Sequence, residues 1–332
     1  MGTKEQLLTL LEKNRGTYFS GEDIAERLSV SRAAVWKAVK SLRAEGYRID
    51  AVQNRGYCLW EQTDILSAQG IRNYLEPVCV GLELRVWPSL QSTNKMVREM
   101  AASGAREGYT VVANTQTEGR GRRGRSFFSP ADTGVYMSLL LRPPHCASQE
   151  AASLTTMAAV AVCEAIEAVS GQTAQIKWVN DIYVSGKKVC GILTEASFGL
   201  EDGFLEYAVL GIGVNVFPPR EGFPDELREL AGSVFTQPCS DGKNRLTAAI
   251  LNRLMAYYTA PEKARYVQAY RARSLVIGKD IQVLSPEGTK SAHALDVDED
   301  CHLIVRYDDG RIENLSYGEI SIRLADSGAQ RF

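Results

Sequence analysis

At the N-terminal end, apolar positions recur at helical spacing. Leu7, Leu8 and Leu11 fall on one face of the stretch from Lys4 to Asn14. Ser20, with Asp23 three residues later, predicts the start of a second helix that turns Ile24, Ala25 and Leu28 inward. Ser29 to Ser31 predicts a short turn. Ser31 then caps a third helix whose buried stripe is Val35, Val39 and Leu42 and whose end is marked by Gly46. The outer face of that helix carries Arg32, Lys37, Lys40 and Arg43, with no acid between Ser31 and Arg43. Tyr47 to Trp60 alternates and turns at Asn54-Arg55-Gly56, which predicts a hairpin with Arg55 at its tip.

After a polar boundary at Glu61 to Asp64, the pattern alternates between strands and helices. Leu82 to Leu90, Tyr109 to Gln116, Gly134 to Leu141, Ala174 to Trp178 and Leu205 to Phe217 read as strands, most of them apolar enough to be buried. Gln149 to Gly171 reads as a long core helix, and Leu246 to Tyr258 and Pro261 to Arg273 as two more. Ser185-Gly186 predicts a tight hairpin that sets Lys188 at the start of the returning strand. From Leu275 onward the strands are short, alternating and separated by turn signals such as Asp308-Asp309-Gly310, as in a small β-barrel of the SH3 kind. The expected class is α+β. Residues 1–62 form a winged helix-turn-helix, 63–273 a central α/β domain and 274–332 the barrel.

Composition narrows the classes. Across 332 residues, 45% hydrophobic and 23% charged content is that of a soluble globular protein, expected in the cytoplasm. The net charge of -2 gives no global attraction to nucleic acid, so DNA contact must be local, as on the basic third helix. Seven cysteines without a Cys-x-x-Cys pair suit reduced structural thiols. His145, His293 and His302 have no metal-ligand spacing, so no resident metal site is expected. No apolar run is expected to reach membrane-spanning length, and the N-terminus has no secretory pattern.

The densest chemistry is Gly119 to Arg125, with four arginines and three glycines in seven residues. Such a run is either a nucleic-acid patch or an anion site. Its position between two buried strands favours the anion site, because guanidinium forks bind phosphate oxygens bidentately. Ser92, Thr93 and Asn94 stand at a strand-to-helix junction, where they either cap the helix or hold a polar ligand. From its position alone, Lys188 reads as a solvated edge residue. Gly211 and Gly213 leave room for a base or sugar. The alternative reading of the basic helix-turn-helix is a module for protein contacts.

The run Thr117-x-Gly119-Arg-Gly-Arg-Arg-Gly-Arg125-x-Phe127-x-Ser129-Pro130, followed by Lys177 to Asp181, Lys187 to Leu193 and Gly211 to Asn215, resembles the biotin–protein ligases. With the N-terminal module it resembles the bifunctional kind, which also repress biotin operons. The resemblance runs from Leu7 to Arg323. It implies a central fold related to class II synthetases and lipoate ligases. It also implies adenylation of biotin by ATP, with magnesium carried by the nucleotide, then transfer to a lysine of a biotin carboxyl carrier protein.

The implied biotin residues are Ser92, Thr93, Asn94, Gln116, Arg120, Gly121, Arg122 and Lys188. The implied adenylate residues are Arg120, Arg122, Arg125, Phe127, Lys177, Asn180 and Asn215, and the catalytic ones are Lys188, Arg122 and Asp181. Gly21 to Lys40 would read an operator through Arg32, Lys37 and Lys40, with Arg55 on the DNA backbone and a homodimer matching a two-fold site. Two positions depart from the family. Val179 stands for the usual proline and Phe127 for a common tryptophan, which weakens stacking on the adenylate. The alternatives are a lipoate-type ligase, a ligase-dead biotin sensor and a ligase whose winged helix no longer binds DNA.

Overall fold

The computed structural model describes residues 2–143, 151–199, 204–260, 264–285, 288–316 and 319–322. The expected core helix from Gln149 and the helix from Pro261 begin outside those residues, as does His145. Within them the chain is α+β, arranged around three separate sheets.

The N-terminal helices follow their capping signals. Helix α1 spans Thr3–Lys13. Helix α2 (Gly21–Arg27) begins with the reciprocal Ser20 and Asp23 capping bonds, and α3 (Arg32–Ala44) begins with Ser31 accepting from Ala34 N–H. Strands β1 (Ile49–Val52) and β2 (Gly56–Leu59) form the hairpin. Gly56 has φ +96, and a Cβ there would lie 2.0 Å from the Phe19 carbonyl oxygen, so the wing can close on the Phe19 backbone only with glycine. This module has its own core, built from Leu7, Leu11, Ile24, Val39, Leu42 and Leu59.

Helix α4 (Ala68–Arg72) leads to β3 (Glu83–Trp87), α5 (Thr93–Ala102), β4 (Tyr109–Ala113) and β5 (Gly134–Leu141). Helix α6 (Ala151–Ser170) precedes β6 (Ala174–Lys177), β7 (Asp181–Val184), β8 (Lys187–Phe198) and β9 (Leu205–Asn215). Helices α7 (Gly242–Thr259) and α8 (Ala264–Arg273) close the domain. The seven strands lie in the order β3-β4-β5-β9-β8-β7-β6, with β3 and β4 parallel and the rest antiparallel. Strand β5 is buried at all eight positions because helices cover both faces of the sheet.

One sequence expectation is corrected here. Ala152–Ser170 is 19 residues long and apolar enough to cross a membrane by length and composition. Its apolar character has another cause: Val160, Ala161, Val162, Cys163 and Ile166 are fully buried in the main core. None of the six described cysteines is in a disulfide.

Strands β10 (Asp280–Ser285), β11 (Gly288–Val297), β12 (Leu303–Tyr307), β13 (Ile312–Leu315) and β14 (Glu319–Ile322) form an antiparallel sheet ordered β13-β12-β11-β10-β14. No ladder joins β13 to β14 among the described residues. Its inner face shares one core with the central domain, and Trp178 Nε1 donates to the Cys301 carbonyl at 3.0 Å. Ser274, just before this sheet, also bridges to Ile176 on β6.

Candidate active site and nucleic-acid face

A cavity of about 420 Å³ opens where β5, β8 and β9 meet the start of α5 and the arginine loop. Its inner wall is polar and follows from one cap. Ser92 is the N-cap of α5, its side chain accepting from Lys95 N–H at 3.4 Å, and this turns Thr93 and Asn94 toward the sheet. Thr93 donates both its N–H (2.8 Å) and its hydroxyl (3.1 Å) to Gln116 Oε1. Gln116 Nε2 donates to Ser129 Oγ at 3.1 Å. Asn94 Nδ2 donates to the Leu193 carbonyl (3.3 Å) and to Glu195 Oε2 (2.8 Å). Ser138 Oγ, fully buried on β5, lies 2.7 Å from Thr93 Oγ1 and 2.6 Å from Asn94 Oδ1.

The outer wall is cationic. Arg120, Arg122, Arg123, Arg125, Lys177 and Lys188 line the cavity, with Asp181 the one carboxylate among the described lining residues. Arg122 to Gly124 makes a short 3-10 turn in which Arg123 has φ 55 and Gly124 φ 74. Arg122 Nη1 donates to Asn180 Oδ1 at 3.0 Å, and Asn180 Nδ2 donates to the Ile192 carbonyl at 2.8 Å. The loop is thereby tied to the turn after β6, in which the Trp178–Val179 peptide is cis.

The β7–β8 hairpin turns at Ser185 and Gly186 as the sequence predicts. It sets Lys188 Nζ 2.7 Å from Asp181 Oδ1. Beside that pair, burial and then the Asp181 charge push the Tyr183 hydroxyl up to about 12, so it stays protonated. Burial likewise pushes the Cys190 thiol well above its ordinary range, which makes it a packing residue.

Most of the expected site residues meet here: Ser92, Thr93, Asn94, Gln116, Arg120, Gly121, Arg122, Arg125, Phe127, Lys177, Asn180, Asp181 and Lys188 all line the cavity. Asn215 is not among them. Its Nδ2 donates to the Gly232 carbonyl at 3.0 Å, and so ties the end of β9 to the loop that returns along Lys188. The room expected over the two glycines is also occupied. A Cβ on Gly211 would lie 2.1 Å from Asn94 Oδ1, and one on Gly213 would lie 2.6 Å from Phe127 Cε1. The Phe127 ring rests on Gly191 and Gly213 and meets Tyr136 edge-on at 6.3 Å.

Sequence reasoning missed Ser138, Glu195, Tyr183, and Leu284 and Ile320 of the C-terminal sheet, which also line or support the cavity. Ser138 had a signal, being the polar residue in an otherwise apolar strand.

On the N-terminal module, Arg32, Lys37, Lys40 and Arg55 are all exposed, as expected of a nucleic-acid face. A groove between α3 and the β1–β2 hairpin is lined by Arg32, Trp36, Gln53 and Asn54. Trp36 is 55% exposed and carries Lys40 Nζ 5.4 Å from its ring centre, while Arg55 stacks 4.1 Å over Tyr18.

The module meets the central domain through buried charge. Arg15 joins Glu12 (2.5 Å) and, across the boundary, Asp241 (2.8 Å), and beside it, within the central domain, Lys243 N–H donates to Asp64 Oδ1 at 2.9 Å. Burial raises the Asp64 carboxyl to about 6 despite the Lys243 ammonium 3.5 Å from its other oxygen.

Comparison with known proteins agrees with this layout. The model of the biotin/lipoate A/B protein ligase family matches residues 86–215, an HTH domain model residues 3–58, and the biotin protein ligase C terminal domain residues 276–323. Bifunctional ligase/repressor BirA of Bacillus subtilis (strain 168) is 34% identical over 314 residues, covering 92% of this chain and 95% of that one. The protein of the same name from Escherichia coli (strain K12) is 28% identical over 97% of each. The biotin protein ligase of Aquifex aeolicus in complex with biotin and ATP shares the fold, with a TM-score of 0.61 over 73% of this chain and 99% of that one at 24% identity. With three domain models in order and a relative matched nearly end to end, the chain belongs to the bifunctional ligase/repressor branch of the biotin/lipoate protein ligase family.

Proposed function

We propose that the chain adenylates biotin with ATP, transfers the biotinyl group to a lysine of a biotin carboxyl carrier protein, and represses biotin genes as a DNA-binding protein in the cytoplasm. The observation that carries this is the cavity's polarity: a neutral hydrogen-bonding wall at one end and six cations against one carboxylate at the other. Adenylation needs that division, because it drives two anions together. The biotin carboxylate bonds to the α-phosphorus as the bond to the β-phosphate oxygen breaks, and pyrophosphate leaves.

Ser92, Thr93, Asn94, Gln116 and the Gly121 backbone would take the ring end of biotin. Arg120, Arg122, Arg125 and Lys177 would neutralise phosphate, and Asn180 would hold Arg122 in place. Lys188 would bridge carboxylate and α-phosphate. Magnesium would come with the nucleotide, bound through its phosphate oxygens. The second step forms an amide from the acceptor lysine amine and the acyl carbon, and AMP leaves. Asp181, 2.7 Å from Lys188, would orient that amine.

The exposed Arg32, Lys37 and Lys40 would meet operator DNA, with Arg55 on its backbone. A homodimer formed when biotinyl-5′-adenylate is bound would match a two-fold operator. The test is mass analysis of a carrier protein incubated with the chain, ATP and biotin. One biotinyl group on the acceptor lysine is expected, and none of the corresponding lipoyl adduct when lipoate replaces biotin. Equal modification by both acids would refute the biotin assignment.

A further inference from the structure

We propose that Lys243 is a positioning residue that ties the base of the arginine loop to the seat of the N-terminal module, so that occupancy of the cavity is felt at the DNA-binding end of the chain. This rests on the reading of the chain as a ligase that also binds an operator. The ground is a continuous set of bonds through the first turn of α7.

The seat is built on Asp241, the N-cap residue of α7. Its carboxylate accepts from Arg15 Nη2 of the module at 2.8 Å and from Asn244 Nδ2 at 2.7 Å, and its N–H donates to the Thr63 carbonyl at 3.0 Å. Arg15 Nη1 donates to the same Thr63 carbonyl at 3.2 Å. Asn244 holds the rest of the linker. It donates to the Ile65 carbonyl at 2.8 Å and accepts from Ser67 N–H at 3.0 Å. Module, linker and α7 are thus fixed against one another by the first turn of that helix.

Lys243, on the same turn, reaches the arginine loop. Its N–H donates to Asp64 Oδ1 at 2.9 Å, and its ammonium lies 3.5 Å from Asp64 Oδ2 and 3.4 Å from Asn114 Oδ1. Asn114 follows β4 and closes the base of the loop, its Nδ2 donating at 2.9 Å to Oδ1 of Asp132, just before β5. Beside it, Thr115 Oγ1 and Gln116 N–H donate to the Ser129 carbonyl at 2.8 and 3.1 Å. Lys243 is 3% exposed, so its ammonium cannot replace a lost partner with water. A shift of Asn114 as the loop takes up phosphate is therefore passed to Asp64, and through the linker to Arg15. Neither Lys243 nor Asn114 lines the cavity, so neither touches the ligand.

The experiment is hydrogen exchange on the full-length chain, followed peptide by peptide with and without biotinyl-5′-adenylate. In the wild type, adenylate should slow exchange at the loop, residues 119–130. It should also slow the seat, residues 61–67 and 241–246, by roughly tenfold, the scale of an ordinary coupling between sites. Lys243→Met should keep the loop response and lose the seat response. That substitution also strands the Asp64 carboxylate, so Asn114→Ala is a second cut. It leaves the Asp64–Lys243 pair in place and should give the same result. A purely structural role raises exchange at the seat with and without adenylate and leaves their ratio as in the wild type. That outcome in either variant overturns the inference, as does a wild-type seat that ignores adenylate while the loop is protected. No protection at the loop itself overturns the ligase reading, and this inference with it.

Discussion

Replacing Lys188 by alanine separates the chemistry of the cavity from its stability. The ammonium sits on the return strand of the β7–β8 hairpin, with Asp181 Oδ1 at 2.7 Å and side chains 34% and 24% exposed. An ion pair that exposed contributes at most about 1 kcal/mol to folding. Lys188 N–H also donates to the Leu230 carbonyl and its carbonyl accepts from Gly232 N–H, and these bonds survive the exchange because they are backbone. The melting temperature should therefore move only slightly. On the proposed role of Lys188 the chemical effect should be far larger, because an ammonium between two reacting anions would be held ready before the reaction starts. One charge about 4 Å from another is worth roughly 4 kcal/mol at an effective dielectric of 20, and losing one such preorganised donor costs roughly a hundredfold to a thousandfold in rate. The assay is single-turnover formation of biotinyl-5′-adenylate from α-labelled ATP, read by rapid quench. A folded Lys188→Ala variant within about threefold of the wild type would remove Lys188 from the chemistry.

Three further outcomes follow from the geometry. Gly213→Ala puts a Cβ 2.6 Å from the Phe127 ring, so the ring must leave its seat; the variant should lose about 1–3 kcal/mol in thermal melting and release adenylate faster, and wild-type retention would show that the seat is irrelevant. Asp64, raised to about 6 by burial against an ordinary value near 4, holds a proton in the folded chain that the unfolded chain releases. Its charged form thus opposes folding: the stability is full below about pH 4 and is lost as pH climbs through 6, so Asp64→Asn should gain on the wild type by up to about 3 kcal/mol between pH 4 and 7, and a flat difference in melting contradicts this. Lys37→Ala should lower the salt slope of operator binding by about 0.9 per subunit, as loss of one phosphate contact requires, and an unchanged slope would make Lys37 a base contact or none.

Element boundaries were legible wherever a local rule decides them. Ser20 and Ser31 announce α2 and α3, Ser185-Gly186 announces the β7–β8 turn, and Gly134 to Leu141 is a strand over the predicted span. Helix α7 shows where such rules stop. It begins at Gly242, four residues before the predicted Leu246, because its first turn is polar yet buried. Lys243 and Asn244 are drawn inside by Asp64 and Ser67, which lie far away in sequence. The same limit applies to the site. The arginine loop and Lys188 stand out by composition and motif. The Asn94–Glu195 bond spans 101 residues and Arg15–Asp241 spans 226, and no periodicity marks either pair. The apolar run of α6 was misjudged for length because burial in a protein core and burial in lipid demand the same residues.

The central claim is that one cavity joins biotin to ATP, and the most direct measurement is biotin-dependent exchange of labelled pyrophosphate into ATP by the purified chain. Exchange should appear only when biotin is present, should need magnesium with the nucleotide, and should stay at background with lipoate. Exchange that is absent with biotin, or equally fast with lipoate, would contradict it.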